Sequence, residues 1–221
     1  MDGEHAFLKV VRRGDAEAVR SMLRGNPQLA ASVDERGVAV ICLAAYQGRM
    51  DLVRMIGEAL AVRDVFALVL LGEVQELRAL VARDPEAVRR RTQDGFTALH
   101  FAAFFAQPEA MAVLLAAGAD ANAVADNAMR VRPLHSALAQ RDGESATRMV
   151  RLLLGAGADV EGRQAGGFRP LHNAAAAGHL EAVRLLLQTG ADKDSRGDDG
   201  RRAYDFAVER HQEEVTAILR P

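Results

Sequence analysis

Leu99, Leu134 and Leu171 each precede a histidine, and they lie 35 and then 37 residues apart. The surrounding segments align at once: "GFTALHFAAFFAQPEAMAVLLAAGAD" from Gly95, "RVRPLHSALAQRDGESATRMVRLLLGAGAD" from Arg130, and "GFRPLHNAAAAGHLEAVRLLLQTGAD" from Gly167. Self-similarity at a fixed period of this size is the signature of a repeat architecture, because each copy is one supersecondary unit. Tyr204, in "GRRAYDFAVERHQEEVTAIL", continues the series after 33 residues.

Each copy reads as a Gly-containing turn, a helix start, a short Ala-rich helix, a break, an amphipathic helix and a closing glycine. In the copy from Gly167, the break is Gly178-His179 and the second helix runs from Leu180 to Thr189 before Gly190, a residue suited to a left-handed cap. Pro170 stands where a first-turn proline loses no hydrogen bond. Two antiparallel helices this short cannot bury their faces alone, so the units must stack.

The pattern Thr-Ala/Pro-Leu-His-x-Ala-Ala, then Gly-His-Leu-Glu-Ala-Val-x-Leu-Leu-Leu, then Gly-Ala-Asp resembles the ankyrin repeat, strongly from Gly95 to Asp194. The resemblance implies an all-α solenoid of helix-turn-helix units, each with a projecting β-hairpin-like turn. Toward the N-terminus, Gly14, Gly48 and Gly72 anchor three looser units, and the Leu-equivalent positions Phe7, Ile41, Val65 and Leu99 step by 34, 24 and 34 residues. About seven units result within one domain: a capping unit at 1–33, a shortened unit at 34–60, units at 61–91, 92–125, 126–163 and 164–196, and a C-terminal cap at 197–221. The short middle step predicts that "GEALAVRD" leads almost directly into the next helix, without a projecting turn. Some four extra residues near "RDGESATR" predict a longer connection between the two helices of that unit.

Composition limits the function. The 221 residues carry a formal charge of −2, which provides no global positive field for nucleic acid or an anionic membrane. The single cysteine, Cys42, rules out an internal disulfide framework and a cysteine-rich metal site, and reads as a small buried residue. A charged N-terminus and the lack of any long apolar run predict a cytoplasmic chain that does not enter a membrane. Only Lys9 and Lys193 among 28 basic residues are lysine, which points to a GC-rich, bacterial genome.

No catalytic motif or cofactor-binding fingerprint appears, and no enzyme activity, cofactor or metal is expected. "GAGADVEG" follows a helix instead of opening one, so it reads as a helix end and not a phosphate loop. His100, His135 and His172 are one repeat apart, roughly the 8–10 Å of packed helices, too far to share a zinc ion. The resemblance implies that they tie adjacent turns together, and that His179 is also structural. Arg89, Arg90 and Arg91 read as a solvated turn or an anion site, and Asp198 and Asp199 as turn residues.

Phe104 and Phe105 are the anomaly. Adjacent helical residues diverge by about 100°, so both rings cannot face one core. By repeat register they end the inner helix, at positions that in ankyrin repeats line the concave groove and contact partners. Tyr46, Leu70, Leu71 and Gln140 hold matching places, and Phe96, Met129, Val131, Phe168 and Arg201 extend the same surface near the turns. The resulting expectation is a monomer that binds an unidentified protein or peptide through this surface. Two alternatives stay open: self-association through the patch, and a small-molecule site in the gap near Leu60 to Phe66. Leu70 or Phe104 could equally be buried if the shortened unit lets its neighbours tilt together.

Overall fold

Helices of six to thirteen residues are marginal in water on their own and form only where an apolar face is covered. In a computed structural model, which describes residues 2–220, fourteen such helices follow one another in pairs. The pairs are α1 (Asp2–Arg13) with α2 (Ala16–Gly25), α3 (Val40–Tyr46) with α4 (Met50–Ala59), and α5 (Val65–Leu71) with α6 (Val74–Arg83). Then come α7 (Ala98–Phe104) with α8 (Pro108–Ala116), α9 (Pro133–Leu138) with α10 (Gly143–Gly155), α11 (Pro170–Ala177) with α12 (Leu180–Gln188), and α13 (Ala203–Glu209) with α14 (Glu213–Leu219). Met1 and Pro221, the outer limits of the terminal units, lie outside the described residues.

Odd-numbered helices pack in one row and even-numbered helices in a second that is interrupted between α4 and α6, where α4 packs on α5, giving an all-α stack of seven helix pairs with one continuous core. Cys42 is buried in it, and burial pushes its thiol pKa up. Every pair except α9 with α10 turns sharply at a left-handed residue. Gly14, Gly48, Gly72 and Gly178 adopt φ of 70° to 75°, a region open to glycine at no steric cost.

Projecting turns precede most odd-numbered helices. Isolated antiparallel bridges pair Val33 with Ala39, Arg91 with Thr97 and Arg196 with Arg202. Backbone bonds Ala125 N to Val131 O (2.8 Å) and Gln164 N to Phe168 O (2.9 Å) close the other two turns. From the turn at Gly95 onward, one backbone bond links each turn to the next: Asp126 N to Gly95 O, Ala165 N to Met129 O, and Asp198 N to Gly166 O.

Between α4 and α5 there is no such turn, as the short step predicts; residues 60–64 cross directly and Asp64 caps α5 by accepting from Ala67 N at 2.8 Å. The flanking turns close over the missing one. Gly37 lies against Gln93, where a β-carbon would stand 3.0 Å from Gln93 Cγ.

The extra residues near "RDGESATR" behave differently from the sequence expectation. They lengthen α10 to thirteen residues, against nine in α8 and α12, while the connection from α9, residues 139–142, grows only to four residues against two or three in the other pairs. Asp142 caps the added turn by accepting from Ser145 N at 2.8 Å, and Gly143 gives it room beside the His179 ring.

His100, His172 and His179 fasten the stack, whereas His135, expected to do the same, has its Nε2 buried without a hydrogen-bond partner. Backbone N–H groups of Thr97, Arg132 and Arg169 each donate to Nδ1 of the histidine three residues on, at 3.2 Å. Nε2 of His100 then donates to the Val131 carbonyl (3.1 Å) and Nε2 of His172 to the Arg201 carbonyl (3.3 Å), each one unit away. His179 does the same from its loop to Gln140 O at 3.0 Å. Burial pushes His100 and His135 down to about 4 and lowers His172, so the imidazoles are neutral and keep one N–H to donate.

Candidate binding surface

Phe104 and Phe105 part company at the end of α7. Phe104 is 44% exposed, while Phe105 is half-buried and turns back toward Phe101, with ring centroids 5.7 Å apart. The two rings meet edge to face at 5.0 Å, and Phe101 in turn packs on Tyr46 (5.8 Å) and Phe66 (5.4 Å). An aromatic cluster thus runs from the core to the surface, and such pairs add to the gain from burial alone.

This cluster walls a hollow of about 410 Å³, which gathers Tyr46, Phe96, Phe104, Phe105 and Met129 from the expected residues. Arg36, Asp94 and Phe101 also line it. Tyr46 donates its hydroxyl to Asp94 Oδ2 at 2.8 Å, and burial together with this carboxylate pushes the phenol pKa up. The other oxygen, Oδ1, is buried without a hydrogen-bond partner. Arg36 is held at 3.5 Å by Asp34, which Arg12 also approaches at 3.3 Å while binding Glu35 at 2.9 Å. Burial acts to raise the Asp34 carboxyl, but the Val38 and Arg36 N–H groups and the Arg36 guanidinium outweigh it and leave it below the usual range. Those two cations and two carboxylates balance.

A second hollow of about 400 Å³, lined by the fifth, sixth and seventh units, takes Gln140 and Phe168, with Phe206 beside Phe168 at 5.3 Å. Gln140 is engaged there, since its side-chain amide donates to the Ala103 carbonyl of the preceding unit. Arg201 is also engaged internally. Its guanidinium stacks 4.1 Å from the Phe206 ring centre and binds Asp199 (2.6 Å) and Glu209 (2.7 Å). Val131 is half-buried and lines neither hollow.

Two expected contact residues are corrected. Leu70 is 1% exposed, because α5 is apolar on every side and lies enclosed between α3 and α7. Leu71 packs instead on α4, where Gly57 makes room: a β-carbon there would lie 2.6 Å from the Leu71 methyl groups. Of the two outcomes left open, Leu70 is buried and Phe104 is not.

The remaining candidates resolve locally. Arg89 pairs with Glu86, Arg90 with Asp84, and Arg91 donates to the carbonyls of Gly95 and Val124, so the run is no shared anion site. Asp198 binds Arg163 at 2.6 Å, and no metal-holding cluster of acidic, cysteine or histidine side chains occurs among the described residues. At the gap, Arg63 is tied to Glu73 (2.6 Å) and to the Gly57 carbonyl. Asp94 and Phe101 went unread in the sequence because an Asp-Gly pair signals a turn and a mid-helix phenylalanine signals core. The useful signal was the 24-residue step, which brings the turns of units two and four together.

Comparison with known proteins agrees with this geometry. A family model described as ankyrin repeats, in three copies, matches residues 134–220, and a single ankyrin repeat matches 94–126, together more than half of the chain. Tyrosine-protein kinase Shark of Drosophila melanogaster is 35% identical over 130 residues, 58% of this chain and 13% of that protein. The B-cell lymphoma 3 protein homolog of Mus musculus is 37% identical over 102 residues, 46% of this chain and 22% of its own length. Protein phosphatase 1 regulatory subunit 27 of Homo sapiens is 43% identical over 51 residues, 23% and 33% respectively. The matches span a third or less of each relative, and these three relatives are eukaryotic. Seven stacked helix pairs, projecting turns, the buried histidines and both family matches agree: the chain belongs to the ankyrin repeat family.

Proposed function

We propose that the protein is a non-catalytic recognition module that binds a protein or peptide partner along its concave face, with Phe104, Tyr46 and Met129 as anchors. One observation carries this reading. Of six large hydrophobic side chains exposed on the described surface, these three border a single hollow, with exposures of 44%, 41% and 54%. Scattered apolar residues need no explanation, whereas a contiguous cluster marks an interaction site. We expect the module to act as a monomer in the cytoplasm; no described helix is long and apolar enough to cross a membrane.

The test separates the two phenylalanines. Phe104→Ala should weaken capture of a partner by about 2 kcal/mol or more, roughly thirtyfold in Kd, with little change in melting temperature because the ring is already half in water. Phe105→Ala should lower stability, since its ring packs against Phe101. Recovery of the same partners with unchanged affinity by a folded Phe104→Ala variant would remove the proposal. A mass that rises with concentration for the wild type alone would identify a second copy as the partner.

A further inference from the structure

The repeat register lets one unit report on another. Residues 94, 96, 101 and 104 of the fourth unit correspond to 199, 201, 206 and 209 of the seventh, a constant offset of 105 with α7 and α13 starting at matched positions. In the seventh unit the aspartate and phenylalanine of this set hold a guanidinium: Arg201 lies over the Phe206 ring at 4.1 Å and donates to Asp199 at 2.6 Å. The fourth unit keeps the aspartate and the phenylalanine, as Asp94 and Phe101, but has Phe96 where the seventh has Arg201. Phe104 replaces Glu209, the third group on the Arg201 guanidinium.

Asp94 therefore receives no cation from its own unit. Tyr46 supplies a hydrogen bond to Oδ2 but no positive charge, and Oδ1 has no partner at all. Arg36, which also lines the hollow, is held in the balanced group with Asp34, Arg12 and Glu35. The hollow thus presents the Asp94 carboxylate among aromatic rings, with the one guanidinium in its wall, Arg36, paired to Asp34 instead; such surroundings favour a cation both by charge and by attraction to ring faces.

We infer that the hollow at Tyr46, Asp94 and Phe104 is a subsite for an arginine side chain of the partner, holding its guanidinium against Asp94 and the exposed rings as the seventh unit holds Arg201. A planar guanidinium suits this setting better than an ammonium, because it stacks on rings while donating sideways to a carboxylate. The inference rests on the recognition reading above and adds the chemistry of its anchor.

The test uses the whole chain at low ionic strength, with the capped peptide Ala-Ala-Arg-Ala-Ala and its citrulline and leucine counterparts as probes, followed by NMR of labelled tyrosine and phenylalanine rings. Citrulline keeps the shape of arginine and loses its charge, so the central comparison needs no variant. The arginine peptide should move the Tyr46 and Phe104 resonances saturably and bind at least tenfold tighter than the citrulline peptide. Asp94→Asn, which still accepts from Tyr46, should erase that preference, and Arg36→Gln, which removes a like charge from the wall of the hollow, should not weaken it. Equal binding of the arginine and citrulline peptides would overturn the inference, as would a preference that survives in folded Asp94→Asn. If the leucine peptide binds tightest and Phe104→Ala abolishes its binding, the arginine subsite is wrong while the recognition surface stands. If no peptide moves these rings, the subsite is likewise wrong, and partner capture with Phe104→Ala decides the broader reading.

Discussion

Ala106 turns the chain between α7 and α8 with φ of 52°, where the equivalent residues Gly48, Gly72 and Gly178 have no β-carbon to strain. A left-handed conformation costs an L-residue on the order of 1–2 kcal/mol, and glycine recovers most of it at some entropic cost in the unfolded chain. Ala106→Gly should accordingly raise stability by about 1 kcal/mol, read as a higher urea midpoint with an unchanged slope. A lower midpoint would show that the methyl group makes compensating contacts. The same turn decides what becomes of the neighbouring rings, since Phe104 closes the helix facing outward and Phe105 stands already at its cap. That doublet made Phe104 legible as a surface residue from sequence. Leu70 occupies the same register but was not legible as buried, because register says where a residue stands on its own unit and nothing about how closely the next unit approaches.

Among the helices, α5 shows how a unit survives without its projecting turn. Six of its seven residues, Val65 to Leu70, are buried, so packing supplies the stability and the Asp64 side chain supplies the start signal through Ala67 N. Asp64→Ala removes an N-cap where only five residues separate two helices, and should cost about 1 kcal/mol in urea unfolding. An unchanged midpoint would mean that enclosure alone sets the start of α5. Helix identity was readable from the repeat almost throughout, because the same physics recurs in each copy. The destination of the four extra residues was not. A glycine beside charged residues suggests loop, yet Asp142 offers a cap and the His179 ring sits beside Gly143, so the added residues wind into α10. The hollow was half legible: its rings follow from register, whereas Asp94 joins them only because the turns of units two and four meet.

Across the whole molecule, side-chain ties between units follow a regular reach. His100 bonds 31 residues ahead, Gln140 bonds 37 behind and His179 bonds 39 behind, each to a neighbouring unit. Tyr46 reaches 48 residues, from unit two to unit four. Stacked repeats behave as a one-dimensional array whose stability is a sum of unit and nearest-neighbour terms, so such arrays unravel from their ends. Native-state hydrogen exchange should find a single shared opening free energy for α3, α5 and α7, and Tyr46→Phe should separate α3 from the other two. Distinct openings in the wild type would contradict this. A contact that leaps over its neighbour gives the array a second-nearest coupling, and the stretch it spans loses the freedom to melt link by link. The unit at 61–91, which has no projecting turn of its own, is thereby locked in from both sides, and cannot be the first to leave.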